Sequence, residues 1–522
     1  MKVLVADEIS KNGVEMLKAQ GYHVDVRTGL KEDELVKVIK DYDVLLVRSA
    51  TKATRKVVEA GRLRVIGRAG IGVDNIDVDA ATERGVLVMN APSGNVISTA
   101  ELTVGLIFAL ARRIAQADAS MKKGEWKRKE MKGTQVQGKT LGIVGLGRVG
   151  AEVSKRATAL GMTVIAYDPL VSPEVGTKLH VRLMPLDRLL QEADVVTVHT
   201  PLTPQTKDLI SKAELARMKK TAFLVNCARG GVVNEDALYE ALAGSKIAGA
   251  ALDVFMNEPP AGSKLLTLQN IVLTPHLGAT TTEAQEEVGS EIAEQVIAYL
   301  KENIIRNAVN LPAKLDPEIV PYMPLAEKLG TMACQLGMCS ASRMEISCRG
   351  ELAQKDIRII TACVVTGLLK PMSEEYNVNY INALAMAKSR GIEVVSSTSD
   401  DSGRYKNLIR VTLKANGGTV SVAGTLMPDK GPRIVEIDGS SVDIEPEGNF
   451  LLIGHADKPG MIGKVGTVLG DNDVNIASME VARERVRGPA MMILELDDEL
   501  PKAVLEKVRA IPDLKAATAI KL

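Results

Sequence analysis

The chain has 522 residues, and 65 Lys plus Arg side chains balance 65 Asp plus Glu side chains, so its formal net charge is zero. A balanced charge excludes a whole-chain attraction to nucleic acid, to an anionic membrane or to a polyanionic substrate. Domains usually contain roughly 100 to 200 residues, so this length predicts three or four separate cores.

The amino terminus and the cysteines indicate where the protein works. The segment Met1 to Asp7 enters a strand-like run directly, and no apolar stretch approaches the roughly 20 residues that a membrane helix needs. The five cysteines are scattered and lack Cys-x-x-Cys spacing, so neither a disulfide framework nor a zinc site is predicted. We therefore expect a cytoplasmic protein without a bound metal.

Short β-branched runs alternate with amphipathic segments up to about residue 300, the pattern of a parallel sheet covered by helices. Apolar runs that begin near Val3, Val44, Val65 and Leu87 predict a small α/β domain ending near residue 95. A second series predicts a six-stranded Rossmann sheet, with strands at Thr140 to Val144, Thr163 to Tyr167, Val195 to Val198, Phe223 to Val225, Ala250 to Val254 and Ile271 to Leu273.

A helical segment from Thr282 to about Lys301 could cross back to the first domain, which would leave the Rossmann domain inserted in a discontinuous one. After Pro312 the pattern becomes α+β, with a helix-like stretch at Leu325 to Leu336 and β-rich runs at Ile357 to Val365, Leu408 to Leu413 and Thr419 to Ala423. A βαββαβ order follows from Asn449. The predicted domains are 1–95 with 283–312, then 96–282, 313–448 and 449–522.

A glycine fingerprint, Gly145-Leu-Gly147-Arg148-Val149-Gly150, leaves the first Rossmann strand and opens a helix. This strand, loop and helix order is typical of dinucleotide binding, because the glycines allow a tight turn and the helix N-terminus attracts the pyrophosphate. Arg148 and Val149 are predicted to lie against the cofactor through their backbone.

The second Rossmann strand ends at Asp168, roughly 20 residues after the fingerprint. A carboxylate there can bond the adenosine ribose hydroxyls and repel a 2′-phosphate, so the expected cofactor is NAD. The alternative is a glycine turn followed by an ordinary aspartate at a strand end.

Ligands of open α/β sheets bind beyond the carboxyl ends of the strands, so polar residues that follow each strand are candidate site residues. These segments are His199-Thr200-Pro201, Cys227-Ala228-Arg229-Gly230-Gly231, Asp253-Val-Phe255 with Glu258, and Thr274-Pro-His276-Leu-Gly278-Ala279.

Hydride transfer between a nicotinamide and a carbonyl group requires a proton-exchanging group and a cation that orients the neighbouring carboxylate. His276 and Arg229 supply these functions, and Glu258 can orient the imidazole if folding brings the two together. Each residue also has an ordinary interpretation, as a structural histidine or as part of a solvated ion pair.

These strand-end motifs resemble signatures of the D-2-hydroxyacid dehydrogenase family, as do Arg68-Ala-Gly-Ile-Gly72-Val73-Asp74-Asn75 and Asn90-Ala-Pro-Ser-Gly94-Asn95. The resemblance implies a Rossmann NAD domain inserted in a discontinuous flavodoxin-like substrate domain. It also implies that Arg229 binds the substrate carboxylate and that His276 exchanges the proton, assisted by Glu258. Cofactor contacts are expected from Thr200, Cys227, Ala228, Arg229, Asp253, His276, Gly278 and Ala279.

The whole chain is similar to a long form of this family, with an α+β intervening domain and a C-terminal ACT domain. The implied reaction is the NAD-dependent oxidation of 3-phospho-D-glycerate, the first step of L-serine biosynthesis, in a homotetramer. Two alternatives stay open. One is a glyoxylate or hydroxypyruvate reductase, which the C-terminal extension disfavours, and the other is a corepressor that uses NAD to control assembly.

A substrate phosphate requires positive charge near the cleft. Arg48 and Arg68 follow strands of the first domain, and two guanidinium groups suit a phosphate dianion. Backbone N–H groups near Ile71 to Val73, including those of Gly72 and Val73, and near Ser93 to Asn95 are expected to hold the carboxylate end. The resemblance places Arg128, in a basic run, at the active site of a neighbouring subunit. Surface salt bridges or a solvated face are the alternatives.

The C-terminal segment resembles an ACT domain in Leu452-Ile-Gly-His455-Ala-Asp457-Lys-Pro459-Gly460 and in Asn472-Asp-Val-Asn475. ACT domains bind amino acids at paired interfaces, and the resemblance makes L-serine the expected effector. His455, Asp457 and Asn475 are the candidate effector residues. A purely structural role in dimerisation is the alternative.

Overall fold

The computed structural model describes residues 1–338, 340–372, 378–415, 418–483, 485 and 487–522. These residues form four β-sheets of five, seven, six and four strands. The first two sheets are parallel and the last two are wholly or mainly antiparallel, which confirms the predicted change from α/β to α+β architecture.

The first sheet is built by five strands, β1 (Lys2–Val5), β2 (His23–Val26), β3 (Val44–Val47), β4 (Val65–Arg68) and β5 (Leu87–Asn90). They pair in parallel in the order β2-β1-β3-β4-β5. Their connections contain four helices, α1 (Lys11–Ala19), α2 (Glu32–Val38), α3 (Arg55–Ala60) and α4 (Val78–Glu83). Strand β2 was not predicted, because none of its residues is fully buried at this edge of the sheet.

The second sheet is the Rossmann sheet. Two helices precede it, α5 (Val96–Ala111) and α6 (Ile114–Lys122). Its elements are β6 (Thr140–Val144), α7 (Arg148–Ala159), β7 (Thr163–Tyr167), α8 (Pro173–Lys178), β8 (Arg182–Leu183), α9 (Leu186–Glu192), β9 (Val195–Val198), α10 (Lys212–Arg217), β10 (Phe223–Asn226), α11 (Glu235–Ala243), β11 (Gly249–Leu252) and β12 (Ile271–Leu273). The strand order is β12-β11-β10-β9-β6-β7-β8. The sheet has seven strands where six were predicted, because β8 has only two residues and leaves no periodic signal.

Helix α12 (Thr282–Glu302) follows the Rossmann sheet and packs against α1. It buries apolar side chains in the core of the first sheet, namely Val288, Ile292 and Val296. Farther along, the Asn310 side chain accepts a hydrogen bond from the Val88 amide at 2.9 Å. The chain therefore returns to the first sheet after it leaves the second.

The third sheet belongs to an α+β region whose elements are α13 (Met323–Ala333), β13 (Arg343–Gly350), α14 (Arg358–Leu369), α15 (Ala383–Ser389), β14 (Glu393–Ser399), β15 (Asn407–Ala415), β16 (Gly418–Met427), β17 (Gly431–Ile437) and β18 (Ser440–Ile444). The strand order is β14-β13-β15-β16-β17-β18. A π-helical turn, Cys334–Met338, follows α13, and Cys334 is disulfide-bonded, which the cysteine spacing did not indicate.

The predicted strand at Ile357 to Val365 is wrong, because this segment forms most of helix α14. Every residue from Ile359 to Leu369 is buried, so the helix carries no polar face that would reveal its period. Helices α13 and α14 approach closely where a Cβ on Gly330 would lie 2.0 Å from the Val364 carbonyl oxygen. Burial on all sides therefore made a helix look like a core strand.

The fourth sheet has the predicted βαββαβ order. Its elements are β19 (Asn449–Ala456), α16 (Met461–Gly470), β20 (Ile476–Arg483), β21 (Pro489–Leu496), α17 (Lys502–Arg509) and β22 (Leu514–Lys521). The strands pair in the antiparallel order β20-β21-β19-β22. Short 3-10 turns elsewhere in the chain are Ile39–Asp41, Lys264–Thr267, Val320–Tyr322, Glu351–Gln354 and Lys370–Met372.

Within the described ranges, no helix combines the length and apolar character needed to cross a membrane. Among the same residues, no group of three or more His, Cys, Asp or Glu side chains is arranged to hold a metal ion.

Candidate active site at the carboxyl edge of the Rossmann sheet

The glycine loop between β6 and α7 has the space that a dinucleotide needs. Gly145 adopts a positive φ of 97°, and a Cβ on Gly150 would lie 2.2 Å from the Gly145 carbonyl oxygen, so both positions require glycine. A Cβ on Gly147 would meet nothing within 4 Å. The backbone at Gly147 and the first turn of α7 are therefore accessible to a pyrophosphate, and the loop fits NAD.

Asp168 follows β7 and lies against this loop. Its Oδ2 accepts a hydrogen bond from the Leu146 amide at 2.8 Å, and its Oδ1 accepts one from the Leu170 amide at 2.9 Å. These bonds hold the carboxylate beside the glycine turn, the position from which it can bind ribose hydroxyls and repel a 2′-phosphate.

His276 and Glu258 meet after the last Rossmann strands. The His276 Nδ1 lies 2.7 Å from the Glu258 Oε2, and the other Glu258 oxygen accepts a hydrogen bond from the Phe255 amide at 3.0 Å. The side chains are 46% and 38% exposed, so substrate can reach them. Since Nδ1 is engaged by the carboxylate, Nε2 is the ring nitrogen available for proton exchange.

A buried aspartate shapes the turn that carries His276. Asp253 is only 1% exposed, and it accepts hydrogen bonds from the Thr274 hydroxyl at 2.6 Å, the Leu277 amide at 2.7 Å and the Gly278 amide at 2.9 Å. His276 itself has a φ of 55°, a left-handed conformation that the turn holds in place. Asp253 thus positions the turn, and its expected contact with the cofactor stays a prediction.

Arg229 lies at the boundary between the two parallel sheets. The Asn226 side chain holds its loop by donating to the Arg229 carbonyl oxygen at 3.0 Å. The guanidinium Nε lies 3.4 Å from the Asp74 carboxylate, and Nη2 would be 2.2 Å from a Cβ on Gly72. A side chain at position 72 would therefore have to displace the end of the Arg229 guanidinium, and glycine leaves room for it.

Arg48 and Arg68 contribute further positive charge near Arg229. The Arg48 Nη2 donates to the Ala279 carbonyl oxygen at 3.2 Å, which joins the first sheet to the turn after His276. Burial lowers the pKa of Arg68 to about 10, and the positive charges of Arg229 and Arg48 add to this lowering. Arg48, Arg68 and Arg229 thus place three guanidinium groups close together, and a bound anion would stabilise this arrangement.

Two polar side chains hold these arginines, and the sequence reasoning missed both roles. Buried Asp7 accepts hydrogen bonds from the Arg48 amide at 2.6 Å and the Thr51 hydroxyl at 2.6 Å. The Asn75 side chain donates to the Arg48 and Thr51 carbonyl oxygens at 3.0 and 2.6 Å, and accepts from the Arg68 Nε at 3.3 Å. A polar residue shortly after a buried strand, as Asp7 is two residues beyond the end of β1, was the available signal.

The remaining predicted cofactor residues lie around the same edge. The Thr200 hydroxyl is buried without a hydrogen-bond partner among the described residues, and the Ala228 amide donates to the Asn226 side chain. Burial raises the pKa of the Cys227 thiol to about 12, so it stays neutral. His199 has its pKa lowered to about 4 by burial, which suits a neutral structural histidine.

One substrate prediction concerns a second subunit, and another is not matched by the geometry. Arg128 is exposed in this chain, and its expected contact with the active site of a neighbouring subunit stays a prediction. The Ser93 amide, expected to hold a carboxylate, already donates to the Glu291 carboxylate of helix α12 at 3.1 Å. A side chain distant in sequence therefore occupies a donor that had been assigned to substrate.

The three predicted effector residues do not form one site within a single chain. Strands β19 and β20 both pair with β21, so Asp457, after β19, lies at the opposite end of the sheet from Asn475, before β20. Asp457 contacts Arg483 at 3.4 Å, whereas Asn475 donates to Asp497 at 2.6 Å. His455 is 3% exposed, and its Nε2 has no partner in the described part of the chain.

Family models match three parts of the chain. Residues 104–278 match the NAD binding domain of D-isomer specific 2-hydroxyacid dehydrogenases, residues 318–438 match the D-3-phosphoglycerate dehydrogenase intervening domain, and residues 450–513 match the ACT domain. These matches cover the Rossmann sheet and most of the third and fourth sheets.

Similar solved structures cover the first two sheets. An NAD-dependent formate dehydrogenase from Staphylococcus aureus in complex with NAD is 30% identical with a TM-score of 0.54, covering 59% of this chain and 99% of its own. A glyoxylate reductase from Paecilomyes thermophila is 28% identical with a TM-score of 0.55, covering 59% and 98%. Together with the match to an NAD binding domain, these similarities identify NAD as the cofactor of this chain.

Full-length relatives extend the similarity through the C-terminal sheets. The D-3-phosphoglycerate dehydrogenase of Methanocaldococcus jannaschii is 47% identical, over 100% of both chains. That of Bacillus subtilis is 42% identical, over 100% of this chain and 99% of its own. The chain therefore belongs to the D-3-phosphoglycerate dehydrogenase family.

Proposed function

We propose that this protein oxidises 3-phospho-D-glycerate to 3-phosphohydroxypyruvate with NAD, the first step of L-serine biosynthesis. The observation that carries the proposal is the 2.7 Å contact of His276 with Glu258, beside Arg229 and the arginines of the first sheet. The proposal assigns a proton acceptor, a carboxylate-binding cation and a phosphate-binding pair to this edge of the sheet. The full-length relatives carry this activity in their names, which supports the same assignment here.

Each residue of the site has a separate role in the proposed reaction. The Arg229 guanidinium binds the substrate carboxylate, and Arg48 and Arg68 bind the phosphate. The His276 Nε2 takes the proton from the C2 hydroxyl group, and Glu258 stabilises the imidazolium that forms. NAD, when bound, supplies the acceptor for the hydride that leaves C2.

A substrate comparison tests the phosphate assignment. Replacement of Arg68 by Ala removes a buried cation, so we expect KM for 3-phosphoglycerate to rise at least about 10-fold, whereas KM for unphosphorylated glycerate changes little. Arg62→Ala is the matched control, since Arg62 lies near the same strand with its side chain 62% exposed. Equal effects of Arg68→Ala on both substrates, or no NADH formation by the wild type, would contradict the proposal.

Regulation and assembly form a second part of the proposal. We propose that L-serine binds between the ACT domains of two chains, so that Asp457 and His455 of one chain approach Asn475 of the other. The separation of these residues within one chain favours a shared site. A homotetramer in the cytoplasm is the proposed form.

We also propose the domain division 1–95 with 283–312 for substrate, 96–282 for NAD, 313–448 as the intervening domain and 449–522 as the ACT domain. The return of α12 to the first sheet supports the discontinuous domain.

A further inference from the structure

A cavity of about 520 Å³ lies at the amino edge of the Rossmann sheet. Its lining includes the first residues of three strands, Val195, Phe223 and Gly249. The candidate active site lies at the carboxyl ends of the same strands. The cavity is therefore separated from that site by the length of the strands, and the proposed reaction does not use it.

The walls of the cavity are fixed by contacts between α5 and the segment before β6. The Thr134 amide donates to the Ala111 carbonyl oxygen at 2.8 Å, and a Cβ on Gly133 would lie 2.4 Å from the same oxygen. Leu110 and Val136 line the cavity, are only 6% and 9% exposed, and pack into the core of the Rossmann domain. These contacts within the protein define the shape of the cavity, as is usual for small-molecule sites.

Positive charge dominates the lining. Four cationic side chains face the cavity, Arg113, Lys132, Lys139 and Lys220. The acidic residue of the lining is Asp194, and Lys219 already neutralises it through an ion pair of 2.9 Å. Within the described ranges none of the four cations forms an ion pair, so their charges remain available to an anion.

The Gln116 side chain presents a buried hydrogen-bond acceptor near the cavity, which indicates a second property of the ligand. The Gln116 Nε2 donates to the Gln269 carbonyl oxygen at 2.9 Å, which settles the orientation of the side-chain amide. Its Oε1 is buried and has no hydrogen-bond partner among the described residues. Buried acceptors are normally paired, so this oxygen fits a ligand that carries an O–H or N–H donor.

We propose that this cavity is a second ligand site, for an organic anion that combines a phosphate or carboxylate group, an apolar ring or chain and at least one hydrogen-bond donor. The cations bind the acidic group, Phe223 and Leu110 contact the apolar part, and the Gln116 Oε1 accepts from the donor. The volume lies within the range of about 300 to 1,000 Å³ that is usual for ligands of this size. The site is independent of the proposed reaction.

Equilibrium dialysis of radiolabelled ADP tests the site in the full-length protein saturated with NADH, which occupies the dinucleotide fold. We expect the protein to bind one further ADP per chain. The affinity for this ADP should fall at least about 10-fold in Lys139→Gln/Lys220→Gln, because charge-assisted contacts are lost. Gln116→Met keeps the side-chain size and removes the hydrogen-bond acceptor, so the affinity for ADP should fall several-fold. Lys178→Gln/Lys212→Gln, which removes two exposed lysines of the same domain outside the cavity, should leave binding unchanged.

Competition and folding controls make the result decisive. Inorganic phosphate should displace ADP from the cavity, and Arg68→Ala should not affect the cavity while it raises KM for phosphoglycerate. Unchanged Tm and kcat in the lysine and glutamine variants show that they fold. Absence of ADP beyond the NADH site, an equal loss in the control variant, or loss of binding in Arg68→Ala would each overturn the proposal.

Discussion

The carboxyl edge of the Rossmann sheet and the ACT domain both contain predicted ligand residues, but only the Rossmann edge brings such residues into contact within one chain. At the Rossmann edge, residues from separate loops meet, as His276 and Glu258 do at 2.7 Å. In the ACT domain, Asp457 and Asn475 lie at opposite ends of a four-stranded sheet and bond to other residues of their own chain.

The difference comes from strand direction. Every strand of a parallel sheet ends at the same edge, so loops far apart in sequence converge without any further constraint. In the ACT domain, the residue after β19 and the residue before β20 belong to opposite ends of strands that run the same way. A strand of eight residues spans roughly 25 Å, so one chain cannot bring both to one ligand.

The largest expected effect is at the converged edge. Replacement of His276 by Asn should lower kcat about 10³-fold with little change in NADH affinity, because the proton acceptor is lost while the dinucleotide loop is intact. Asn is also compatible with the left-handed backbone at this position, where φ is 55°. Steady-state NADH formation and NADH fluorescence titration measure the two quantities.

The matched control for this prediction is His180→Asn. His180 is exposed and has a φ of 54°, so the substitution is the same in chemistry and in backbone conformation. Retention of more than about a tenth of wild-type kcat in His276→Asn would remove His276 from the proton transfer.

A second prediction concerns the histidine beneath the same edge. Burial lowers the pKa of His199 to about 4, below the 6.5 of an unperturbed histidine. The unfolded chain therefore binds this proton first, and the free energy of unfolding should fall as the pH drops from about 6.5 to about 4. His199→Asn should remove a pH-dependent loss on the order of 2 kcal/mol, allowing for the partial exposure of the ring.

Urea unfolding of the wild type and His199→Asn at about pH 7 and about pH 5 measures this effect. His23→Asn is the control, since the His23 side chain is 66% exposed. Parallel pH dependence in all three proteins would contradict the assignment of His199 as a neutral buried group.

A third prediction concerns the arginines of the first sheet. Asn75→Ala removes three hydrogen bonds that hold the Arg48 loop and the Arg68 side chain, so KM for phosphoglycerate should rise about 10-fold while kcat changes less than about twofold. Asn12→Ala, which removes one exposed hydrogen bond, should leave KM unchanged. A fall in kcat at constant KM would show that Asn75 acts on the chemical step instead.

The smallest effects are expected in the ACT domain, where catalysis should be unaffected. Asp457→Asn and Asn475→Ala should each raise the serine concentration for half-inhibition several-fold and leave kcat unchanged. Assemblies that mix the two variant chains should regain part of the serine response, because each mixed pair contains one site with both native residues. Mixed assemblies as insensitive as the single variants would show that the site is not shared between chains.

The Rossmann unit from Gly145 to Asp168 could be predicted from sequence because its parts are close in the chain and each has a local cause, a tight turn, a helix N-terminus and a strand-end carboxylate. The contact of Glu258 with His276 could also be predicted, since these residues follow neighbouring strands of a parallel sheet that end at one edge. Helix α14 could not, because complete burial removes the polar face that distinguishes a helix from a core strand.

Sequence by itself thus determined the cofactor loop, the order of the α/β and α+β regions and the pairing of His276 with Glu258. Tertiary structure alone decided which groups support them, such as Asp7, Asn75 and Asp253, whose hydrogen bonds join segments up to 44 residues apart. It also decided that Glu291 occupies the Ser93 amide and that Asp457 and Asn475 stay apart. Features that depend on neighbouring residues can be predicted from the sequence. Contacts between residues distant in sequence depend on the order and direction of the strands within each sheet.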